Sequence, residues 1–310
     1  MKIDHILIVS PMYHEIQTII NKEEVHKDIR YLPEEALSEK DLAWADALVC
    51  FNLSSKIDYS QVKWVHSLGA GVDRFLFGKD WNEEVLLTRT ICSFGQRIAE
   101  YCLSYILRDL QDHDQFQKIM RQKLWMPTTP RLLSGQKVMI YGTGEIGQKV
   151  AKMFTALGVE VHGVSLSGKE KDHFKEVMTI DEHFSQVNKM NYLINTLPLT
   201  ELTANLFNET IFGQLANAGF INVGRGGSLD EQALLAALDY QHVRFAVLDV
   251  FSREPLPSDH PFWNYPNIQI TPHISAITTP EEGVACFLET LKNIEGNLPL
   301  INKVDTKKGY

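Results

Sequence analysis

Residues Lys137 to Gly168 read KVMIYGTGEIGQKVAKMFTALGVEVHGVSLSG, and this segment contains the clearest structural pattern of the chain. An apolar run over residues 138–141 leads directly into a glycine turn, GTGEIG, at residues 142–147. A helical period of apolar residues follows until Gly158, and a second apolar run begins at Val159. Strand, glycine turn, helix and strand in this order predict a right-handed βαβ unit that binds a dinucleotide.

Each glycine of this turn has its own physical role in such a unit. The first permits the tight turn, the second lets the backbone approach a pyrophosphate, and the third lets helix and strand pack closely. The N–H groups of the first helical turn face the anion, where the helix dipole also favours negative charge. The cofactor-binding residues predicted here are Gly142, Thr143, Gly144, Glu145, Ile146 and Gly147.

Length and charge limit what surrounds this unit. The chain has 310 residues, 44% of them hydrophobic, which is enough for a sizeable core and about two domains. A net charge of −9 argues against nucleic acid or an anionic membrane as the main partner. The apolar run at residues 6–9 is too short for a signal peptide, so we expect a cytoplasmic protein. The four cysteines show no C-x-x-C spacing and predict neither a disulfide framework nor a zinc site.

The first ~95 residues alternate strand-like and helix-like segments, as in a small α/β layer. Strands are predicted over 3–9, 47–51 and 62–67, with a helix-compatible segment over 34–45. Further along, residues 98–124 predict one long helix. Its charged residues are expected to form a solvated face, which comprises Arg108, Asp109, Asp112 and Asp114.

A second glycine turn, Gly69-Ala70-Gly71, follows the strand predicted over 62–67. Open α/β sheets bind ligands at the carboxyl ends of their strands, so the backbone N–H groups of this turn are candidates to hold a carboxylate. The alternative is a plain turn in which Asp73 caps the next helix.

Ionisable residues gather beyond strand ends in the second half of the chain. Strands are predicted over 192–197, 218–223, 245–250 and 268–271. At or just after their ends lie Arg225, Asp249, Glu254 and His273. These side chains are therefore expected on the edge of the sheet where a dinucleotide sits, as chemistry at a nicotinamide ring requires.

Several motifs carry a family resemblance. In chain order they are Gly142-x-Gly144-x-x-Gly147, Leu197-Pro198-Leu199-Thr200, Asn222-Val223-Gly224-Arg225-Gly226, Leu248-Asp249-Val250-Phe251 with Arg253-Glu254-Pro255-Leu256, and Thr271-Pro272-His273. This series resembles the D-isomer-specific 2-hydroxyacid dehydrogenases. Within that family, the Gly69–Asp73 turn, the stretch 254–278 and the tail around Val304-Asp305 and Gly309-Tyr310 resemble the glyoxylate/hydroxypyruvate reductases.

The resemblance implies an α/β protein with two doubly wound parallel-sheet domains. A Rossmann-type dinucleotide-binding domain, residues 97–282, is inserted into a flavodoxin-like substrate domain formed by residues 1–96 and 283–310. The family's usual homodimer is also implied. Three large aromatic residues are expected in a core or a dimer contact rather than on the substrate: Trp125, Phe262 and Trp263.

The implied reaction is reduction of glyoxylate or hydroxypyruvate to glycolate or D-glycerate by hydride transfer. His273 is the predicted proton donor, because histidine as a residue type suits proton transfer at neutral pH, and Glu254 favours the imidazolium. Arg225 binds the substrate carboxylate and carbonyl oxygen through its planar fork. The turn Gly69-Ala70-Gly71 is the second carboxylate anchor. These roles match those of the family's Arg, Glu and His.

The resemblance implies further cofactor contacts outside the glycine turn. They are assigned to Leu197, Pro198, Thr203, Val223, Gly224, Asp249, His273 and Ser275. Asp249 matches the family's contact to the nicotinamide carboxamide. An Asp near a strand end can also simply cap a turn, and this alternative stays open.

The end of the second strand bears on the choice between NADP and NAD. An NAD-binding unit usually places an acid there, about 20 residues on, to bind the ribose hydroxyls. This chain has Val164-Ser165-Leu166-Ser167-Gly168-Lys169 instead. Ser165, Ser167 and Lys169 are candidates to receive a 2′-phosphate, although the subgroup's NADP-dependent members tend to carry an Arg here. NADPH is the predicted cofactor, with NADH possible.

Two other functions fit the same motifs. One is a dinucleotide-sensing binding protein, like the corepressors that share this fold and can keep the Arg, Glu and His. The other is a 2-hydroxyacid dehydrogenase with a different substrate range. The expected lack of a long disordered extension or a basic surface run favours the enzyme.

Overall fold

The computed structural model describes residues 1–51, 53 and 57–310. Its strands, numbered in chain order, are β1 (His5–Val9), β2 (Asp28–Leu32), β3 (Ala47–Cys50), β4 (Trp64–Ser67), β5 (Leu86–Arg89), β6 (Lys137–Tyr141), β7 (Glu160–Val164), β8 (Glu176–Met178), β9 (Tyr192–Asn195), β10 (Ala218–Asn222), β11 (Val243–Leu248) and β12 (Ile268–Ile270). Its α-helices are α1 (Tyr13–Ile20), α2 (Glu39–Trp44), α3 (Asp73–Leu76), α4 (Phe94–Leu110), α5 (His113–Arg121), α6 (Glu145–Ala156), α7 (Phe184–Val187), α8 (Glu209–Phe212), α9 (Glu231–Asp239) and α10 (Pro280–Glu295). Within the described ranges, no helix combines the length and apolarity needed to cross a bilayer.

Two compact units make up the chain. The first comprises Met1–Phe94 and Ile277–Tyr310, and the second comprises Gly95–Ala276. The second unit is therefore a single continuous segment placed within the sequence of the first. The roles of the two units, one for the substrate and one for the dinucleotide, stay predictions.

A five-stranded parallel sheet forms the centre of the first unit. Its strand order is β2-β1-β3-β4-β5, which is the flavodoxin-like order that the family resemblance implied. On one face, Ile16 of α1 packs in the same buried cluster as Phe287 and Leu291 of α10. The segment after the inserted unit thus supplies part of this core.

A seven-stranded parallel sheet forms the centre of the second unit, in the order β12-β11-β10-β9-β6-β7-β8. Counted from β6 as the first strand, this is the Rossmann order 3-2-1-4-5-6 extended by one strand. The chain order reverses between β6 and β9, and this switch point is where such sheets bind ligands. The predicted fold class is confirmed.

The segment 98–124 is not the single long helix that the sequence predicted. α4 ends at Leu110 and α5 begins at His113, with Asp112 in a left-handed conformation at φ 51°. The Leu110 carbonyl accepts the N–H of Arg131 at 2.9 Å, so it does not continue the helical ladder. Residues 111–115 are all polar, but no glycine or proline lies between the two helices, which explains why the sequence joined them.

The predicted solvated face of this segment is also wrong for Asp109. Its carboxylate accepts hydrogen bonds from Arg244 Nη2 at 2.7 Å and from Tyr192 Oη at 2.6 Å, and it forms an ion pair with Arg131 at 3.2 Å. Burial acts to raise the pKa of Asp109, but the bond and charge of Arg244 outweigh it and the pKa is lowered. Its partners come from distant segments, so helical spacing alone gave no sign of them.

The segment 34–45 is helical in two separate parts. A 3-10 turn at Glu34–Ala36 is followed by α2, and Ser38 between them is extended. Ser38 is the N-cap residue of α2, and its N–H donates to the Asp41 carboxylate at 3.3 Å.

Candidate active site

The glycine turn connects β6 to α6 and is shaped by close backbone contacts. Gly142 has φ +99°, a conformation that favours glycine, and an added Cβ would lie 2.6 Å from Thr196 Oγ1. A Cβ at Gly147 would lie only 1.8 Å from the Gly142 carbonyl oxygen. The first and third glycines therefore have the turn and packing roles expected from the sequence.

Gly144 differs from the other two, because a Cβ added there would meet no protein atom within 4 Å. No protein contact requires glycine at this position, which lies next to the N-terminus of α6 at Glu145. The open space beside Gly144 is suited to a pyrophosphate, because a side chain at this position would occupy the volume that the anion needs. Thr143 is buried beside it, and Ile146 is half-buried.

The loop after β7 presents polar groups at the sheet edge. Ser165 Oγ accepts the N–H of Gly168 at 3.2 Å, Ser167 is exposed, and so is Lys169. An acid does lie near this loop, although not at the predicted spacing: a Cβ at Gly168 would be 3.7 Å from Glu182 Oε2. The Glu182 carboxylate accepts two hydrogen bonds, both 2.9 Å long, from Thr179.

The loop after β9 is held by its own side chains. Leu197 N–H donates to Asn195 Oδ1 at 3.0 Å. The buried Thr203 hydroxyl donates to the Pro198 carbonyl at 2.7 Å and accepts the Thr200 N–H at 2.8 Å. Thr203 therefore supports the loop, and a direct contact to a cofactor stays a prediction.

The Arg225 loop follows β10 in a closely packed position. Val223 and Gly224 are buried, while Arg225 is half-buried. A Cβ at Gly226 would lie 1.9 Å from the carbonyl carbon of Phe251, so the two backbones are in direct contact. This contact brings the Arg225 loop next to the segment that carries Glu254.

His273 and Glu254 form a hydrogen-bonded pair beyond the ends of β12 and β11. His273 Nδ1 lies 2.9 Å from Glu254 Oε2, and the second carboxylate oxygen accepts the N–H of Phe251 at 2.9 Å. The His273 side chain is 44% exposed and that of Glu254 24%. Because Nδ1 donates to the carboxylate, Nε2 is the ring nitrogen left for a substrate.

Glu254 has a lowered pKa. Burial acts to raise it, but the hydrogen bonds from His273 and from the Phe251 N–H, with the charges of His273 and Arg225, outweigh burial. Glu254 is therefore ionised at neutral pH. The Glu254 carboxylate bonds the His273 imidazole, and the charge of Arg225 helps to lower the pKa of Glu254. A carboxylate, an imidazole and a guanidinium thus lie at one edge of the sheet.

Asp249 is fully buried and organises the loop around His273. One carboxylate oxygen accepts from Thr271 Oγ1 at 2.6 Å and from Ile274 N at 2.8 Å, and the other accepts from Ser275 N at 2.9 Å. The alternative of a turn-supporting Asp is therefore what the structure shows. A carboxamide contact through a remaining lone pair stays a prediction.

In the first unit, the turn Gly69-Ala70-Gly71 lies at the carboxyl end of β4. The Gly69 N–H donates to Ser67 Oγ at 3.2 Å. Within the described part of the chain, the N–H groups of Ala70 and Gly71 have no acceptor. The next helix, α3, begins at Asp73 with Val72 at the N-cap position, so Asp73 is not the cap.

Sequence reasoning missed a buried polar network beneath the Arg225 loop, formed by Asn195, Asn222 and Ser228. Asn222 stood in a quoted motif, but the other two gave no signal. Their contacts join residues more than 25 positions apart, which no local pattern shows. Among the described residues, no group of three or more His, Cys, Asp or Glu could hold a metal ion.

Comparison with known proteins assigns the family. Residues 103–275 match the model of the D-isomer specific 2-hydroxyacid dehydrogenase, NAD binding domain. Glyoxylate/hydroxypyruvate reductase A of Serratia proteamaculans is 35% identical over 257 residues, which cover 81% of this chain and 82% of that protein. The protein of the same name from Yersinia enterocolitica is 35% identical over 265 residues, covering 83% and 84%. The chain belongs to the D-isomer-specific 2-hydroxyacid dehydrogenase family, as its motifs predicted.

Crystal structures of two relatives share the whole fold. The NADPH-dependent glyoxylate/hydroxypyruvate reductase of Sinorhizobium meliloti, in complex with NADP and sulfate, matches with a TM-score of 0.88 and 28% identity, covering 99% of this chain and 100% of that one. A D-isomer specific 2-hydroxyacid dehydrogenase of Xanthobacter autotrophicus, in complex with NADPH and MES, matches with a TM-score of 0.89 and 27% identity over 100% of both chains.

Proposed function

We propose that this protein reduces glyoxylate and hydroxypyruvate to glycolate and D-glycerate with NADPH. The observation that carries the proposal is the 2.9 Å hydrogen bond between His273 Nδ1 and Glu254 Oε2, next to the Arg225 loop. A 2-oxo acid needs a proton donor and a cation at its reacting end, and these residues supply both. The relatives named as glyoxylate/hydroxypyruvate reductases support this substrate class.

His273 is the proton donor in this proposal. When bound, the reduced nicotinamide supplies a hydride to the carbonyl carbon, and negative charge develops on the carbonyl oxygen. His273 Nε2 delivers a proton to that oxygen, because Nδ1 is tied to Glu254. The ionised Glu254 stabilises the imidazolium before transfer and fixes the orientation of the ring.

The substrate carboxylate is assigned to two anchors. Arg225 offers a planar fork of N–H donors that suits a carboxylate and the adjacent carbonyl oxygen. The Gly69-Ala70-Gly71 turn is the second anchor, through the N–H groups of Ala70 and Gly71, because that of Gly69 already donates to Ser67. We accordingly assign the first unit to the substrate and the second unit to the dinucleotide. The bounds expected from the sequence for these two domains are 1–96 with 283–310, and 97–282.

NADPH is the proposed cofactor, for reasons at both ends of the βαβ unit. Gly144 leaves room for the pyrophosphate. Beyond β7, Ser165, Ser167 and Lys169 are suited to a 2′-phosphate, and the strand ends without an acid. The other proposed contacts are those of the glycine turn together with Leu197, Pro198, Thr203, Val223, Gly224, Asp249, His273 and Ser275. Relatives crystallised with NADP or NADPH support the preference.

A turnover assay tests the proposal. Purified protein is mixed with NADPH or NADH and with glyoxylate, hydroxypyruvate or pyruvate, and consumption of the reduced cofactor is followed by absorbance. We expect the highest kcat/KM with NADPH and either glyoxylate or hydroxypyruvate. Absence of turnover with every pair would overturn the reductase, and tight NADPH binding in that case would support a dinucleotide sensor instead.

The homodimer and the cytoplasmic location are also proposals. Large apolar side chains at the end of α5 and in the segment after it are at least half exposed, and they are Met120, Leu124, Trp125, Met126 and Leu132. Such a concentration of exposed apolar surface is typical of an interaction site. Phe262, in contrast, is buried in the core of its unit. Buried thiols at Cys50 and Cys102 suit a reducing compartment.

A further inference from the structure

A buried polar network links the loop after β9 to the Arg225 loop. Asn195, Asn222 and Ser228 are each fully buried. Asn195 Nδ2 donates to Asn222 Oδ1 at 2.9 Å and to Ser228 Oγ at 2.8 Å. Its Oδ1 accepts the N–H of Leu197 at 3.0 Å. The Asn195 amide thus contacts both loops at once.

The network ends on the backbone that carries Arg225. The Arg225 carbonyl accepts Asn222 Nδ2 at 3.2 Å and Ser228 Oγ at 2.6 Å. Asn222 Oδ1 also accepts the N–H of Gly224 at 3.2 Å. Both residues that hold the Arg225 carbonyl therefore accept a hydrogen bond from the same amide nitrogen of Asn195.

The orientation of the Asn195 amide is determined by its partners. Both hydrogens of Nδ2 are used, and Oδ1 faces a backbone donor. A flipped amide would place oxygen against Asn222 Oδ1 and nitrogen against the Leu197 N–H, so three contacts would be lost. A buried polar group that loses its partner is destabilising, and the arrangement is therefore strongly preferred.

We propose that Asn195 is a positioning residue that sets the Arg225 loop relative to the cofactor loop at Leu197. Asn195 is fully buried and both of its donors bond to protein groups, so it acts through Arg225 rather than by touching substrate or cofactor. The two loops are also in contact, since a Cβ at Gly224 would lie 2.7 Å from the Leu197 carbonyl oxygen. This role rests on the proposed function for its catalytic consequence, but its structural part does not.

Hydrogen exchange of the unliganded protein tests the structural part without turnover. Asn195→Ala is expected to speed exchange of the Gly224 N–H by about tenfold or more, because the acceptor of that N–H, Asn222 Oδ1, loses the hydrogen bond from Asn195. Ser228→Ala is a second variant for the case that Asn195→Ala does not fold. The matched control is Asn191→Ala, which removes a bond to the Lys137 N–H at the other end of β9. Unchanged exchange at Gly224 in the Asn195 and Ser228 variants would overturn the proposal.

Kinetics test the catalytic part. Asn195→Asp keeps an acceptor for Leu197 but loses both donors to the residues that hold the Arg225 carbonyl. We expect kcat/KM for glyoxylate to fall about tenfold or more, with the Kd of NADPH changed by less than about threefold. In an Arg225→Lys background, Asn195→Asp should lower kcat/KM by less than about a further threefold, because its effect is exerted through Arg225.

The outcomes separate the two proposals. If the wild-type protein reduces no 2-oxo acid, the proposed function fails, and exchange at Gly224 still decides whether Asn195 positions the loop. If the wild-type protein is active and Asn195→Asp is as active as Asn191→Ala, the positioning role is wrong while the reductase stands.

Discussion

His273 is held in a left-handed backbone conformation, with φ 55°, which residues other than glycine rarely adopt. Its own N–H donates to the Asp249 carbonyl at 2.8 Å, and the next two N–H groups donate to the Asp249 carboxylate. Thr271 Oγ1 bonds the same carboxylate and lies 2.6 Å from Tyr101 Oη. The loop around the proposed acid is therefore fixed by one buried carboxylate.

Replacing His273 tests the proton transfer directly. We expect His273→Ala to lower kcat by about 10²- to 10⁴-fold, because the developing oxyanion loses its proton donor. The Kd of NADPH, measured by fluorescence titration, should stay nearly unchanged. Wild-type activity in this variant would exclude His273 as the acid. A large loss of NADPH affinity would show a binding role instead.

Lys169 is the residue that tests nucleotide selection. Lys169→Ala should raise the KM of NADPH by about tenfold, because a charge-assisted bond to the 2′-phosphate is lost, and should leave the KM of NADH nearly constant. Lys175→Ala is the control, since its ammonium pairs with Glu160 at 2.8 Å near the start of β7. An equal effect on both cofactors would contradict the assignment.

At the scale of elements, β4 contains a histidine that is buried and neutral. His66 Nδ1 lies 2.8 Å from Thr88 Oγ1, which also accepts Trp64 Nε1 at 2.8 Å. His66 Nε2 lies 3.4 Å from Thr90 Oγ1, whose hydroxyl donates to the Ser67 carbonyl. Burial lowers the pKa of His66 to about 3.

This burial predicts an acid-sensitive element. Between pH 6.5, the ordinary value, and pH 3, the unfolded chain binds a proton at His66 and the folded chain does not. Stability from this group is thus complete above pH 6.5 and falls by about 1.4 kcal/mol per pH unit as the pH is lowered. His66→Gln should show a shallower decline in denaturant titrations across this range. Parallel curves for both proteins would contradict this origin.

The burial of a strand decides whether its sequence shows an apolar pattern from which the strand can be predicted. The strands with continuous apolar runs, such as β3 and β9, are buried along their length and were found. β2 at one sheet edge alternates exposed and half-buried residues, and β8 at another has only three residues, so neither produced an apolar run. The break between α4 and α5 was missed because no glycine or proline marks it, and the Arg131 N–H that bonds the Leu110 carbonyl comes from another part of the chain.

At the scale of the whole molecule, the fold was predictable from the order of its motifs, and the site only in part. Arg225, Glu254 and His273 follow strand ends, so parallel topology places them on one edge. The pairing of His273 with Glu254 was expected, whereas the support beneath Arg225 was not. Asn195 and Ser228 support the loop through contacts between β9, β10 and the Arg225 loop. A local sequence pattern does not show such contacts.

The exposed apolar segment after α5 tests the assembly. Light scattering after gel filtration should give twice the mass of one chain. In the double variant Trp125→Ser with Leu132→Ser, the measured mass should fall to that of a single chain. These side chains are 96% and 77% exposed, so the substitutions cost the folded chain little. The control is Tyr240→Ser, which removes a ring that is 77% exposed elsewhere in the same unit. A dimer that survives the double substitution would place the interface elsewhere.

Two glycines of the same unit should separate in a genetic screen. Any side chain at Gly226 would collide with the Phe251 backbone, whereas one at Gly144 would enter open space. In a variant library scored for protein abundance and for growth that depends on the reductase, substitutions at Gly226 should be depleted in both scores. Substitutions at Gly144 should keep their abundance and lose growth. Selection data alone could then distinguish a glycine kept for folding from one kept for the nucleotide.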